Sequence, residues 1–254
     1  KSFVKDNFFT LLSNIISYSK RLLIVPFYFH TIGIELYGSY SLLITFLGII
    51  YGLSTFGIGY NAQRYLPSTD NISEKRNIFF RQFFFHFSSI IILSLILVLL
   101  NEYVNVYIIK NTAKYSVSII PLYLISTTLY NQATLYYRYT NRVNIMNFCS
   151  ILYTYIDFGL LILYYFLFKK LDIDVIIISN TISSLLIGFP LFYFLIKEIN
   201  LKWAFPNFKS FVLEAKLGFP LLMNFIVDFI MSGSDRYFIA YFISVASVGI
   251  YNTG

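Results

Sequence analysis

An all-α, polytopic membrane helix bundle is the fold class that this chain predicts, on three observations. Seven apolar stretches occupy roughly residues 7–29, 38–61, 82–101, 117–137, 145–168, 173–196 and 218–243, and an eighth begins at Val248. A spanning helix needs about 20 mostly apolar residues, and in lipid a backbone finds hydrogen-bond partners only within its own helix. Composition agrees: 57% of the 254 residues are hydrophobic and 12% are charged, where a soluble chain carries about a quarter charged residues. Mean hydropathy is +0.69. The connecting loops are short, and the longest, 197–217, is too small for a soluble catalytic domain.

The loop charges set an orientation. With the N-terminus inside, the inner segments hold Lys1, Lys5, Arg64, Lys75, Arg76, Arg81, Arg138, Arg142, Lys197, Lys202, Lys209 and Lys216. The outer loops hold Lys110, Lys114, Lys169 and Lys170, and Lys20, Arg21 and Arg236 lie within spans. Twelve against four places the N-terminus in the cytoplasm under the positive-inside rule. Basic residues so dispersed do not form a nucleic-acid footprint.

Taken in order, the first span carries a polar stripe. Asn7, Thr10, Asn14, Ser17 and Arg21 fall within about 80° of each other at helical spacing, with Lys20 at the edge of the sector. Lipid does not tolerate such a face, so it points at protein or at a water-filled cavity. Lys20 and Arg21 interrupt the apolar run and no small-residue cleavage site follows, so the span is not a signal peptide. The second span lines up Ser41, Thr45, Gly48, Gly52, Thr55 and Gly59, a narrow seam that lets a neighbouring backbone approach closely. The fourth shows Thr127, Asn131 and Thr134. The fifth places Asp157 near mid-membrane, either as an ion or proton site or as a hydrogen-bonded structural aspartate. The seventh groups Asn224, Asp228, Ser232 and Asp235 on one face with Arg236 beside it. Asp228 is then near mid-membrane, and Asp235 lies at a depth where an ion pair with Lys20–Arg21 is geometrically open.

Other residues carry less. His30 and His86 lack metal-ligand partners at plausible spacing, so no metal site is expected. Asp172-Ile173-Asp174 matches the two-acid pattern of sugar-nucleotide enzymes but sits in a short external loop. No phosphate loop, CxxC pair or nucleophile elbow appears, so neither cofactor nor catalytic residue is expected. Cys149 alone excludes an intramolecular disulfide. Pro26, Pro190 and Pro220 are expected to kink or start helices. Lys1 in place of Met, and a last residue inside a new apolar run, suggest the limits of a fragment.

A short repeat joins the two ends. Lys20-Arg21, an apolar run and Tyr37-Gly38-Ser39-Tyr40 are echoed by Asp235-Arg236, an apolar run and Val248-Gly249-Ile250-Tyr251, at a period of about 215 residues with a gap of four. Six helices per period gives parallel repeats about an axis along the membrane normal.

Arg21 through Pro26, Gly33-Ile34-Glu35-Leu36-Tyr37-Gly38-Ser39-Tyr40, Phe56-Gly57-Ile58-Gly59 with Arg64, and Gly218-Phe219-Pro220 leading to Ser234-Asp235-Arg236-Tyr237-Phe238-Ile239 carry a resemblance. The chain resembles the polysaccharide biosynthesis and export family of Wzx-type flippases for lipid-linked oligosaccharides (O-antigen and capsule units). Their superfamily includes the lipid II flippases and the multidrug and toxin extrusion transporters. The N-terminal motifs cover roughly 45 residues and the C-terminal ones about 37. The intervening spans match in hydropathy and length only.

The resemblance implies two lobes around a cationic cavity: 1–200 as a first six-helix lobe, and 201–254 as linker, seventh span and start of an eighth in a truncated second lobe. It implies Arg21 and Arg236 as cavity cations for a diphosphate, Lys20 beside them, and Arg64 at the cytoplasmic mouth. Asn14, Ser17, Asn224, Asp228, Asp235 and Asp157 would supply cavity polarity or ion coupling. The expected activity is non-enzymatic flipping of a polyprenyl-pyrophosphate-linked oligosaccharide to the outer leaflet of a bacterial inner membrane. The implied partners are that lipid, the bilayer, and polysaccharide polymerase and chain-length machinery. A cation-coupled multidrug or metabolite extruder resting on Asp157, Asp228 and Asp235, and a membrane-embedded glycosyltransferase or ligase, are the alternatives.

Overall fold

A computed structural model describes residues 2–110, 117–200 and 208–253; the side chains of 2–8, 17, 21, 208 and 210 lie outside that description. The described residues are helical, with no strand among them. The helices are α1 (Ser2–Thr31), α2 (Ile34–Ser54), α3 (Ile58–Tyr65), α4 (Ile72–Leu99), α5 (Asn101–Tyr103), α6 (Ile119–Tyr139), α7 (Val143–Phe168), α8 (Ile173–Ile199), α9 (Phe208–Phe242) and α10 (Val245–Tyr251). A π-helical stretch, Val104–Ile108, continues α5. The chain is an all-α polytopic membrane bundle. By length and composition, five helices among the described residues are apolar enough to cross a membrane: α2, α4, α7, α8 and α9. At 30 and 21 residues, α1 and α6 have the length and carry more polar side chains.

Element ends depart from the apolar runs in three places. The second stretch, expected to run to residue 61, breaks after Ser54, where Phe56 and Gly57 adopt left-handed φ of 46° and 72°. Hydropathy cannot see that corner, because the residues on either side of it are apolar. Both α4 and α9 begin about ten residues before their apolar runs, through Lys75–Arg76 and Lys209–Lys216. A helix needs no apolar face once it leaves lipid, and Asn71 caps α4 by accepting from the Ser73 N–H at 3.0 Å. Pro220 therefore sits inside α9 and starts nothing, and Pro26 and Pro190 are likewise interior to α1 and α8.

The bundle core is layered by depth. Leu43, Leu47, Ile90, Leu97, Ile120 and Leu124 join α2, α4 and α6 toward one end. Phe79, Phe83, Ala133, Tyr136, Leu191 and Leu195 join α4, α6 and α8 toward the other. α6 packs most extensively on α8, and α1 on α7. α9 runs antiparallel along the small-residue seam of α2. The hydroxyl of Thr45 meets Arg236, the ring of Phe225 fills the space a Cβ on Gly52 would occupy, and Gly57 lies backbone-to-backbone on Gly218. Any side chain at Gly57 would overlap Gly218, besides being strained at φ 72°. The seam expected from spacing thus receives a neighbouring helix, although Gly48 in its middle faces nothing within 4 Å.

The expected repeat is present as a corner. Ile32 and Gly33 N–H both donate to Tyr28 O; Ile243 and Ser244 N–H both donate to Ile239 O. Each residue of the first set is 211 positions before its counterpart, so the corner itself repeats at 211 and not 215. The four-residue difference belongs to the arginines: Arg236 stands about one helical turn nearer its corner than Arg21 does. The two corners pack on each other reciprocally. A Cβ on Gly38 would overlap Val245 O, and a Cβ on Gly249 would overlap Ile34 O. Residue i meets j while the copy of j meets the copy of i, the signature of an isologous contact within one chain.

Candidate functional site

Three of the four expected cations, Lys20, Arg64 and Arg236, have described side chains, and the surroundings of Lys20 and Arg236 differ. Lys20, on α1, puts its Nζ 2.5 Å from Asp157 Oδ2 on α7, with side-chain exposures of 17% and 2%. Ser179 of α8 donates to Asp157 Oδ1 at 2.9 Å. Leu161, one turn beyond Asp157, belongs to an apolar cluster with Tyr28 and Tyr37. This ion pair defines the surroundings of Lys20. It lies at the edge of the α1 stripe, and that edge turns to α7, so its charge is spent on a buried carboxylate. The pairing of Lys20 with Asp235, open from depth alone, is not formed. Asp157 thus has both carboxylate oxygens engaged, one by Lys20 and one by Ser179.

Arg236, half-buried on α9, is held differently. Its Nε donates to Asn252 Oδ1 at 3.1 Å and its Nη1 to Thr45 Oγ1 at 3.5 Å. None of the ion pairs among the described residues involves it. Its neighbour Asp235 is engaged by neutral donors: the Arg236 backbone N–H at 2.8 Å and the Tyr251 hydroxyl. Asn252 also donates to Tyr37 Oη at 3.3 Å, and Tyr37 lies 5.8 Å, centroid to centroid, from Tyr28. The Arg236 locus thus connects through Asn252, Tyr37 and Tyr28 to the cluster that contains Leu161, one turn from Asp157. The fork has donors left over, which suits a planar or tetrahedral oxyanion.

The remaining expected residues spread along the surface. Asn14, Asn224 and Asp228 are exposed, and Ser232 donates to the Asp228 carbonyl rather than its carboxylate. Arg64, exposed near the end of α3, lies 5.7 Å over the ring of Tyr65. Arg21 and Ser17 lie outside the described side chains. The geometry therefore brings Arg236 and Asp235 together with Thr45, Tyr37, Tyr251 and Asn252. It separates Lys20 and Asp157 into a pair of their own.

One polar cluster escaped the sequence reading. His86, expected to be isolated, is 2% exposed and its Nδ1 lies 2.5 Å from Gln132 Nε2, while Gln82 Nε2 donates to Gln132 Oε1 at 3.1 Å. The amide-to-Nδ1 contact puts the imidazole proton on Nε2, which has no partner. Gln82 and His86 are four apart on one helix. That spacing was the available signal; the Gln132 partner on α6 was not legible.

Residues 3–254 match the family described as polysaccharide biosynthesis protein. The chain belongs to that family. No curated protein and no solved structure matches it. The family description and the helices long and apolar enough to cross a membrane agree on a membrane protein of polysaccharide biosynthesis.

Proposed function

We propose that the chain is a flippase for polyprenyl-pyrophosphate-linked oligosaccharides, moving them from the cytoplasmic to the outer leaflet of a bacterial inner membrane. The single observation that carries this reading is Arg236, a guanidinium held at the α9–α2–α10 junction by neutral side chains alone. An unpaired cation in such a place is costly unless an anion visits it. A diphosphate satisfies the fork through charge-assisted hydrogen bonds, and Arg21 joins it from α1. Asn14, Asn224 and Asp228 line the glycan's path, the polyprenyl chain stays in lipid, and Arg64 stands at the cytoplasmic mouth. Residues 1–200 act as one lobe and 201–254 open a second, rocking about the reciprocal corner contact. No covalent step is needed, so the protein is a transporter.

The multidrug-extruder reading is weaker because two of its three carboxylates, Asp157 and Asp235, already accept from Lys20, Ser179 and Tyr251. The test is surface-polysaccharide assembly in a host whose own copy is deleted. Arg21→Ala with Arg236→Ala is expected to abolish assembly while the protein remains in the membrane at its usual level. Undiminished assembly with both arginines gone would overturn the proposal.

A further inference from the structure

We infer that a second pocket, away from Arg236, binds a neutral polyhydroxylated group, one or two pyranose rings. It lies where α3 and the first turns of α4 meet the first turns of α9, and it encloses about 350 Å³. That is near the lower end of the range for small-molecule sites, about 300–1,000 Å³. Asn61 and Tyr65 face it from α3; Asn77, Arg81 and Gln82 from α4; Glu214 from α9.

Three features select the ligand class. First, the charge is wrong for a phosphate: Glu74 joins Glu214 in the wall against the one guanidinium of Arg81, and the nearest anion to Arg81 is Glu214 itself, Oε1 lying 2.9 Å from Nε. Second, the wall offers both halves of many hydrogen bonds. Asn61, Asn77 and Gln82 each carry a donor and an acceptor, which matches vicinal hydroxyls and leaves a purely apolar guest unsatisfied. The Arg81 Nε is buried against Glu214, which holds the guanidinium and the carboxylate together in the wall. Third, the Tyr65 ring is 43% exposed, a face for the C–H side of a sugar, and Ile58, Ile78 and Leu217 supply the apolar remainder.

The pocket is also wired into the contact between α9 and the helices it lies on. Asn61 Nδ2 donates to the Glu214 carbonyl at 2.9 Å, and one turn further on Gly218 abuts Gly57. A sugar bound to Arg81 and Glu214 together would fix α9 against α3 and α4. The inference rests on the flippase reading only for what the sugar is attached to; the chemistry of the pocket stands without it.

The test is saturation-transfer NMR on the protein in lipid nanodiscs, using the methyl glycosides of glucose, galactose, mannose and N-acetylglucosamine at millimolar concentration. At least one glycoside is expected to show transfer. Asn77→Leu, at an exposed helix position, and Glu214→Gln are each expected to cut that transfer about fivefold, the worth of a lost hydrogen bond. Tetraphenylphosphonium and methylenediphosphonate are expected to leave it unchanged. The inference is overturned if no glycoside shows transfer, if both variants keep it in full, or if either ion displaces the sugar. Failure of the flippase reading appears elsewhere, as assembly that survives loss of both arginines, so the two results are independent.

Discussion

Lys20 and Arg236 are both cations on long helices of a membrane chain, and the protein treats them in opposite ways. Lys20 is matched to a carboxylate that is itself hydrogen-bonded and sealed. Arg236 is matched to an amide and a hydroxyl. A buried charge is expensive unless it is neutralised on site or kept for a visiting partner. The first arrangement joins α1, α7 and α8 into one body. The second leaves charge in reserve where α9 crosses α2 and meets α10. Position in the sequence does not separate these roles; the chemistry of the nearest acceptor does.

The contrast can be broken most severely at the paired site. Asp157→Leu leaves the Lys20 ammonium uncompensated and is expected to cost about 4 kcal/mol, while Lys20→Met with Asp157→Leu recovers most of it. Thermal unfolding of the three proteins in detergent, compared with the parent, checks both statements. Equal stability of the single and double variants would remove the ion pair from the account.

Next in size, Arg236→Ala is expected to lower diphosphate-lipid affinity about 100-fold, the loss of about two charge-assisted hydrogen bonds, with stability within about 0.5 kcal/mol of the parent. Ligand titration on reconstituted protein, followed by a melt, reads the two effects separately. A large fall in stability would make Arg236 a second Lys20.

A sharper intervention converts one region into the other. Asn252→Asp puts a carboxylate 3.1 Å from Arg236 Nε, where the amide oxygen now sits. Affinity should drop about tenfold while stability rises by about 1 kcal/mol, the same measurements moving in opposite directions. Smallest of all is Thr45→Val, which deletes the long 3.5 Å contact and should change either quantity by less than about 0.5 kcal/mol.

Much of the architecture was legible because bilayer thickness is a strict ruler. The apolar runs at 145–168 and 173–196 coincide with α7 and α8 to within three residues. The ruler measures lipid and not helix, so the charged first turns of α4 and α9 lay outside it. The corner at Phe56–Gly57 was missed for a related reason: its cause is backbone dihedral angle, which hydropathy does not register. At the site, helical spacing found the faces of α1 and α9 that carry charge. It did not find what those charges touch, since Asp157 is 137 positions from Lys20 and Thr45 is 191 from Arg236. Such pairings depend on how each helix is rotated about its axis, and one sequence holds no record of that rotation. The cluster of His86, Gln82 and Gln132 shows the same limit.

The twin corners at Ile34–Gly38 and Val245–Gly249 bind the chain's history as well as its coordinates. Each glycine accommodates a carbonyl contributed by the other copy, so neither position can drift alone without a collision. Among relatives, positions 38 and 249 should therefore both stay glycine whatever residue stands at 245 and 34, because every residue brings the same backbone carbonyl.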